Sequence, residues 1–110
     1  MQKMSLDAKA REHLERAAAS STGRSAETVY GGHEHLLRQT LITLRAGTSL
    51  AEHENPGEAT LLVLSGRVRL TSGDDSWEGS TGHLLVVPPA RHGLEAVEDS
   101  AALLTVVKTP

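Results

Sequence analysis

The sequence has 110 residues, of which 11 are Lys or Arg and 14 are Asp or Glu, so its formal net charge is −3. No block of one charge sign occurs, and this argues against nucleic acid as the main partner, because phosphate binding needs a concentrated basic face. Cysteine is absent, which excludes disulfides, thiolate metal ligands and a thiol nucleophile. The apolar runs are too short to span a membrane, and the N-terminus has no apolar signal core. We therefore expect one soluble, cytoplasmic domain.

The first predicted element is an amphipathic helix over residues 5–19. Ser5 is suited to cap its N-terminus, and we expect the helix to pack on the outside of the body with His13 as a solvated side chain. The apolar residues that recur at helical spacing are Leu6, Ala10, Leu14 and Ala17. A linker-like composition follows. We therefore divide the chain into a helix-and-linker segment, residues 1–24, and a β-domain, residues 25–110.

The rest of the chain reads as short strands separated by turn residues. A further extended run ends at His53, and Ser65-Gly66 reads as a tight turn. The other predicted strands cover residues 26–30, 36–45, 58–64, 67–71, 76–78, 84–87, 92–97 and 101–107. Some eight to ten short strands at this rhythm predict a sandwich or barrel. A parallel α/β fold is excluded, because no helices alternate with the strands.

The stretch from Gly47 to Gly66 is the predicted centre of function. It reads GTSLAEHENPGEATLLVLSG and contains a bend between two extended runs. His53 and Asn55 are two residues apart, so on an extended chain they point to the same face and offer an imidazole and an amide to one pocket. If the bend preserves the alternation, the apolar residues on this face are Ala59, Leu61 and Val63.

Two segments of the chain resemble the motifs of the cupin family, in particular its small, single-domain, RmlC-like members. The first family motif is a glycine, five residues, His-x-His, a glutamate and a closing glycine; the matching residues are Gly47, His53 and Gly66. The second is a glycine, five residues, a proline and a later histidine; the matching residues are Gly82, Pro88 and His92. The resemblance covers residues 36–107. It implies an all-β double-stranded β-helix, or jelly-roll barrel, with the short N-terminal helix outside it.

The metal ligands that the resemblance implies are only partly matched. The family's second histidine falls on Asn55 and its glutamate falls on Ala59. His92 comes one residue early, so it faces inward only if the preceding turn absorbs the shift. The resemblance then implies a weakly held Zn, Fe, Mn or Ni ion bound by His53, His92 and Asn55. Glu58 would join them only if a bulge shifts its strand.

Two functions of different classes stay open, beside a third, weaker alternative, which is a subunit that serves assembly. The first is a binding module that holds a small, partly apolar organic ligand at the open end of the barrel, with His53, Asn55 and His92 as polar anchors. The second is a metal-dependent enzyme of the oxygenase or isomerase type, whose open coordination positions would bind oxygen or substrate. Further polar candidates are Arg38, Gln39 and Arg91 for a ligand carboxylate, and His33 and His35 for a missing metal ligand.

The resemblance also implies a homodimer. Small cupins pair through sheet edges or N-terminal segments, and an open β-sandwich has edges to cover. The candidate contact is formed by residues 26–30 and the helix before them.

Overall fold

The structure, a computed structural model, describes residues 2–54 and 57–108. Within these residues the chain forms one helix and nine strands. Their bounds are α1 Leu6–Ala19, β1 Arg24–Tyr30, β2 Leu37–Leu44, β3 Ser49–His53, β4 Gly57–Ser65, β5 Arg67–Ser72, β6 Asp75–Ser80, β7 Leu84–Val86, β8 His92–Ala96 and β9 Ser100–Lys108. The predicted all-β organisation behind a leading helix is confirmed. No helix in this described part of the chain is both long and apolar enough to cross a membrane.

The strands form two antiparallel sheets that pack face to face as a jelly-roll barrel. The first sheet has the strand order β1-β2-β9-β4-β7, and the second has the order β3-β8-β5-β6. The last strand, β9, lies in the middle of the first sheet and pairs with both β2 and β4. Strands that are distant in sequence are therefore neighbours, and the jelly-roll prediction is confirmed.

The core between the sheets consists of aliphatic side chains, since the sequence has no Phe and only one Trp. Along β4 the buried residues alternate with less buried ones, as they do in a strand that covers a core on one face. The core side chains from the first sheet include Leu44, Ala59, Leu61, Val63, Ala102 and Val106; those from the second include Val68, Leu70, Leu94 and Ala96. The same alternation determines which side chains reach the open end of the barrel.

The tight turn between β4 and β5 requires a glycine at position 66. Gly66 has a φ of 87°, and a Cβ at this position would lie 2.3 Å from the Asp99 carbonyl oxygen. The Arg67 N–H donates to the Ser100 hydroxyl at 3.0 Å. The turn is therefore packed closely against the start of β9, where a side chain has no room.

Helix α1 packs on the outer face of the first sheet, against β1 and β2. The Ser5 hydroxyl accepts a hydrogen bond from the Ala8 N–H at 3.1 Å, which is the predicted N-cap. The buried face of the helix is formed by Ala10, His13 and Ala17. The prediction that His13 is solvated is wrong, because it lies on the same helical face as the two alanines and is only 2% exposed.

Burial of His13 is compensated by polar partners on β1. Its Nδ1 lies 2.5 Å from the Ser25 hydroxyl, and its Nε2 lies 2.9 Å from a carboxylate oxygen of Glu27. The other oxygen of that carboxylate accepts from Lys9 Nζ at 2.8 Å. The hydrogen bonds from Lys9 and then from His13 lower the pKa of Glu27 from 4.5 to about 2. These contacts attach the helix to the barrel.

We predict that Glu27→Gln destabilises the fold in a pH-dependent way. A carboxyl group whose pKa is lower in the folded than in the unfolded chain stabilises the fold above its unfolded pKa. That stabilisation is lost as the pH falls from about 4.5 towards 2. The difference in urea midpoint between the parent and Glu27→Gln should therefore be largest near pH 6 and smaller at pH 3.

The matched control is Glu12→Gln, which removes an exposed carboxylate from the Arg16 ion pair on the same helix. The loss of stability in Glu12→Gln should be small, because exposed ion pairs contribute about 0–1 kcal/mol to the free energy of unfolding. Equal effects of the two variants at pH 6 would contradict the role given to Glu27.

Candidate functional site

Two histidines are direct neighbours across the pairing of β3 with β8. His53 is the last residue of β3, His92 is the first residue of β8, and their Cα atoms are register partners. Their ring centroids are 4.5 Å apart, and the ring planes are inclined by 61°. His92 is 5% exposed, whereas His53 is open to solvent. The pair therefore lies at the boundary between the interior of the barrel and its open end.

An irregularity in β3 directs His53 inward. Leu50 pairs with Leu94 and His53 pairs with His92, so three steps along β3 lie opposite two steps along β8. Without the extra residue, strand alternation would place Leu50 and His53 on opposite faces. With it, both side chains line the same interior cavity. His92 comes one residue earlier than in the family motif, but it still faces inward, because it lies on the same face of β8 as Leu94.

Both imidazole rings are oriented by main-chain carbonyl groups. His92 Nδ1 lies 3.0 Å from the Ala90 oxygen, and His53 Nδ1 lies 3.3 Å from the Ala51 oxygen. Since a carbonyl oxygen can only accept, each Nδ1 carries the proton, and in a neutral ring Nε2 keeps its lone pair. No side chain of the described residues hydrogen-bonds to either Nε2. Each Nε2 atom can therefore accept a hydrogen bond or bind a metal ion.

Two cavities meet at this histidine pair. The outer one, which we call the mouth, has a volume of about 250 Å³ and is lined by Arg38, His53, Glu54, Ala59, His92, Leu104 and Val106. The inner one, which we call the apolar floor, has a volume of about 30 Å³ and is lined by Ile42, Leu50, Leu61, Leu70, Val87, Leu94 and Leu104 together with the same two histidines. The mouth therefore combines charged and imidazole side chains with apolar ones, and the cavity beneath it is lined almost entirely by hydrocarbon.

The apolar residues predicted for the pocket wall lie at three different depths. Ala59 lines the mouth and Leu61 lines the apolar floor. Val63 is fully buried in the core and borders neither cavity. Asn55 lies outside the described residues.

Glu58 does not line either of the cavities that the histidine pair borders. It is exposed and lines a hollow of about 430 Å³, which shares Ala59 with the mouth and Val87 with the apolar floor but includes neither histidine. The register shift of β4 lies between Val63 and Ser65 and leaves the orientation of Glu58 unchanged. In this geometry the carboxylate does not join the two imidazoles.

The second His-x-His pair also lies away from the site. His33 and His35 are exposed in the loop between β1 and β2, and the His35 ring stacks on Tyr30 at a centroid distance of 5.3 Å. Neither residue lines the mouth or the apolar floor.

The three polar candidates for binding a carboxylate have different surroundings. Gln39 Nε2 donates to the Thr105 hydroxyl at 3.2 Å, and neither residue lines the mouth. Arg91 is exposed, donates to the Glu52 carbonyl at 3.3 Å and lies 3.7 Å from the Glu54 carboxylate. Arg38 lines the mouth itself.

Most of the apolar side chains that line the site were not predicted from the sequence. Leu104 and Val106 of β9 and Leu94 of β8 border the cavities. Alternation along β9 predicts that residues 104 and 106 share a face. What the sequence does not give is the pairing of β9 with β2 and β4, which brings that face to the mouth.

A metal site is incomplete among the described side chains. In residues 2–54 and 57–108, no group of three or more His, Cys, Asp or Glu side chains is arranged to hold a metal ion. The two imidazoles supply two ligands, whereas protein metal sites generally use three or four. The described donors therefore do not fit a tightly held resident metal.

The jelly-roll barrel and the His53–His92 pair agree with the cupin resemblance of the sequence. The family described as "Cupin domain" matches residues 40–108 of this sequence. The chain belongs to this family.

Solved structures agree with that assignment. A conserved protein of unknown function from Streptococcus pyogenes superposes with a TM-score of 0.74 at 28% identity, covering 83% of this chain and 79% of the other. An RmlC-like cupin from Desulfovibrio desulfuricans superposes with a TM-score of 0.67 at 28% identity, covering 76% and 81%. No protein with a curated function matches this sequence significantly.

One enzyme shares the fold. The salicylate 1,2-dioxygenase of Pseudoaminobacter salicylatoxidans, solved with gentisate, superposes with a TM-score of 0.79 at 18% identity. The match covers 94% of this chain but 33% of the dioxygenase. At this identity the likeness concerns the fold alone.

We predict that neutral His92 is protonated on Nδ1, because its hydrogen-bond partner, the Ala90 carbonyl, can only accept. Long-range ¹H–¹⁵N correlation NMR above pH 8 distinguishes the two ring nitrogens. The exposed His33, whose ring makes no hydrogen bond with the described residues, serves as the internal reference. An Nε2-protonated ring at His92 would contradict the geometry described here.

Proposed function

We propose that this protein binds a small, partly apolar organic molecule in the mouth of its barrel. The observation that carries the proposal is the His53–His92 pair, which stands between the mouth and the apolar floor. Few polar groups above an apolar wall are the usual composition of a small-molecule site. The unprotonated Nε2 atoms would accept hydrogen bonds from the ligand and orient it.

The volume of the mouth limits the size of the ligand that it can hold. Its volume of about 250 Å³ lies below the roughly 300–1,000 Å³ of drug-sized sites. The apolar floor adds about 30 Å³, which is room for one group of about the size of a water molecule. The proposed ligand is therefore a compact molecule with a short apolar part.

The alternative is a metal-dependent cupin enzyme with a weakened His-based site. The specific observation in its favour is that both Nδ1 atoms bond to main-chain carbonyls. Metal-binding histidines are commonly held in this way by their second nitrogen. A divalent metal would supply Lewis-acid or redox chemistry at the two Nε2 atoms. The incomplete ligand set makes this the second choice.

We predict that compact organic ligands shift the ring NMR signals of His53 and His92 in the parent protein. A panel of short alcohols, amides, phenols and carboxylic acids would be titrated. His92→Gln should weaken binding of any hit by about tenfold or more, because it removes an oriented hydrogen-bond partner. His33→Gln, which changes an exposed histidine outside both cavities, is the control.

Metal analysis of protein purified without chelator separates the two functions. Metal-free protein whose histidine rings respond to the panel supports the binding module. Stoichiometric metal that is lost in His53→Ala supports the metal-dependent alternative. Rings that respond to no compound, in metal-free protein, would contradict both.

We further propose that the protein is a homodimer that pairs through β1 and α1. β1 lies at an edge of the first sheet, and alternate residues along it are exposed. Uncovered sheet edges favour pairing with another chain. Tyr30, at the end of this strand, keeps 48% of its surface exposed.

We predict that light scattering at micromolar concentration gives twice the chain mass of 11.7 kDa. Tyr30→Ser should shift the equilibrium towards the monomer, because it removes aromatic area from the contact. Trp77→Ser is the matched control, since Trp77 is 44% exposed on β6 in the other sheet. A parent mass near 11.7 kDa would reject the dimer, and equal effects of the two substitutions would reject the contact.

A further inference from the structure

Arg38 is a charged group at the mouth that has no charge partner among the described residues. It is half-buried near the start of β2 and lines the mouth together with His53 and His92. Considering only residues 2–54 and 57–108, its guanidinium makes no hydrogen bond or ion pair. By contrast, Arg67 and Arg69 on the second sheet each contact two carboxylates.

The carboxylate at the mouth is directed to a different arginine. Glu54 lies 3.7 Å from Arg91, and both side chains are mostly exposed, at 74% and 60%. Arg91 also donates to the Glu52 carbonyl at 3.3 Å. The charge of Glu54 is therefore balanced at the rim and screened by water. Among the described residues that line this cavity, Arg38 is the cation without a carboxylate partner.

The backbone around Arg38 is held in place. Gly31 has a φ of 98°, and a Cβ there would lie 2.4 Å from the Leu37 carbonyl oxygen and 2.9 Å from the Arg38 Cα. The loop before β2 is thus in close contact with the strand at this point. On the other side, Arg38 is the register partner of Val106 in β9. The backbone position from which the Arg38 side chain extends is therefore fixed.

These features favour an anionic ligand group. Partial burial of a cation without a partner costs free energy, and an incoming anion recovers part of it. The planar guanidinium fork matches the two oxygens of a carboxylate. The neighbouring Nε2 atoms of His53 and His92 can accept a hydroxyl proton from the same ligand. Beneath them, the apolar floor can hold only a short hydrocarbon group.

We propose that the ligand class of this site is a small organic carboxylate, with Arg38 as the residue that binds its carboxylate group. The proposal rests on the proposed ligand-binding function and adds the chemical class to it. The carboxylate lies at the Arg38 side of the mouth, and the apolar part of the ligand lies towards Leu61 and Leu104. Arg38 thereby determines specificity, and the histidines orient the ligand.

The test compares acids with uncharged molecules of the same shape. Butyrate and butyramide, and benzoate and benzamide, are titrated separately into the full-length protein while the ring signals of His53 and His92 are recorded. At least one acid should bind about tenfold or more tightly than its amide, since one charge-assisted contact contributes that much. Arg38→Gln should remove this preference, and Arg38→Lys should keep only part of it, because lysine retains the charge but not the fork.

Arg11→Gln is the matched control. Arg11 is exposed on α1, lies away from the mouth and forms no ion pair with the described residues. Arg11→Gln removes one positive charge, as Arg38→Gln does. Its acid preference should equal that of the parent. Acids and amides that bind equally well and are equally sensitive to His92→Gln would overturn the carboxylate class and leave the binding function intact. Ring signals that respond to none of the four compounds would overturn the carboxylate class as well, and the broader ligand panel would then decide the binding function.

Discussion

The site depends on the pairing of β3 with β8 and on the extra residue in β3. An antiparallel pair fixes which residues oppose each other, and one inserted residue reverses the face of every side chain beyond it. Here that reversal carries His53 inward, opposite His92, while Leu50 and Leu94 remain paired in the core. The orientation by the Ala51 and Ala90 carbonyls follows from the local backbone at the two strand ends. A strictly regular β3 would build the same core and direct His53 outward.

Along β2 the inward-facing side chains change from polar to apolar within a few residues, whereas those of β9 opposite them are apolar. In the first sheet, Arg38 and Thr40 of β2 precede Ile42, and the next strand presents Val106, Leu104 and Ala102 opposite them. A charge placed deeper would lose its water without gaining a partner, at a cost of several kcal/mol. The position of His53 and His92 between the mouth and the apolar floor is therefore the feature on which the proposed ligand site depends.

Much of the fold could be predicted from the sequence, because alternation and turn residues act locally. The turn at Gly66, the capped helix and the short strands follow from such signals. β6 extends over Asp75–Ser80, beyond the predicted residues 76–78, because its length is set by pairing with β5. The burial of His13 and the irregularity in β3 likewise depend on partners that lie far away in sequence. Sequence periodicity carries no information about such partners.

The substitution at position 59 connects the two candidate functions. The cupin resemblance implies a glutamate where this chain has Ala59, and that residue lies on the inner face of β4. Val106 is the register partner of both Arg38 and Ala59, so the three residues form a row across β2, β9 and β4. Neighbouring strands are about 4.8 Å apart, so Cα atoms two strands apart are separated by about 10 Å, which long acidic and basic side chains can span. A glutamate at this position would complete a metal site and would also neutralise Arg38. With alanine there, the mouth has one candidate metal ligand fewer, and Arg38 has no carboxylate partner among the described residues. The carboxylate of the proposed ligand would supply the missing negative charge.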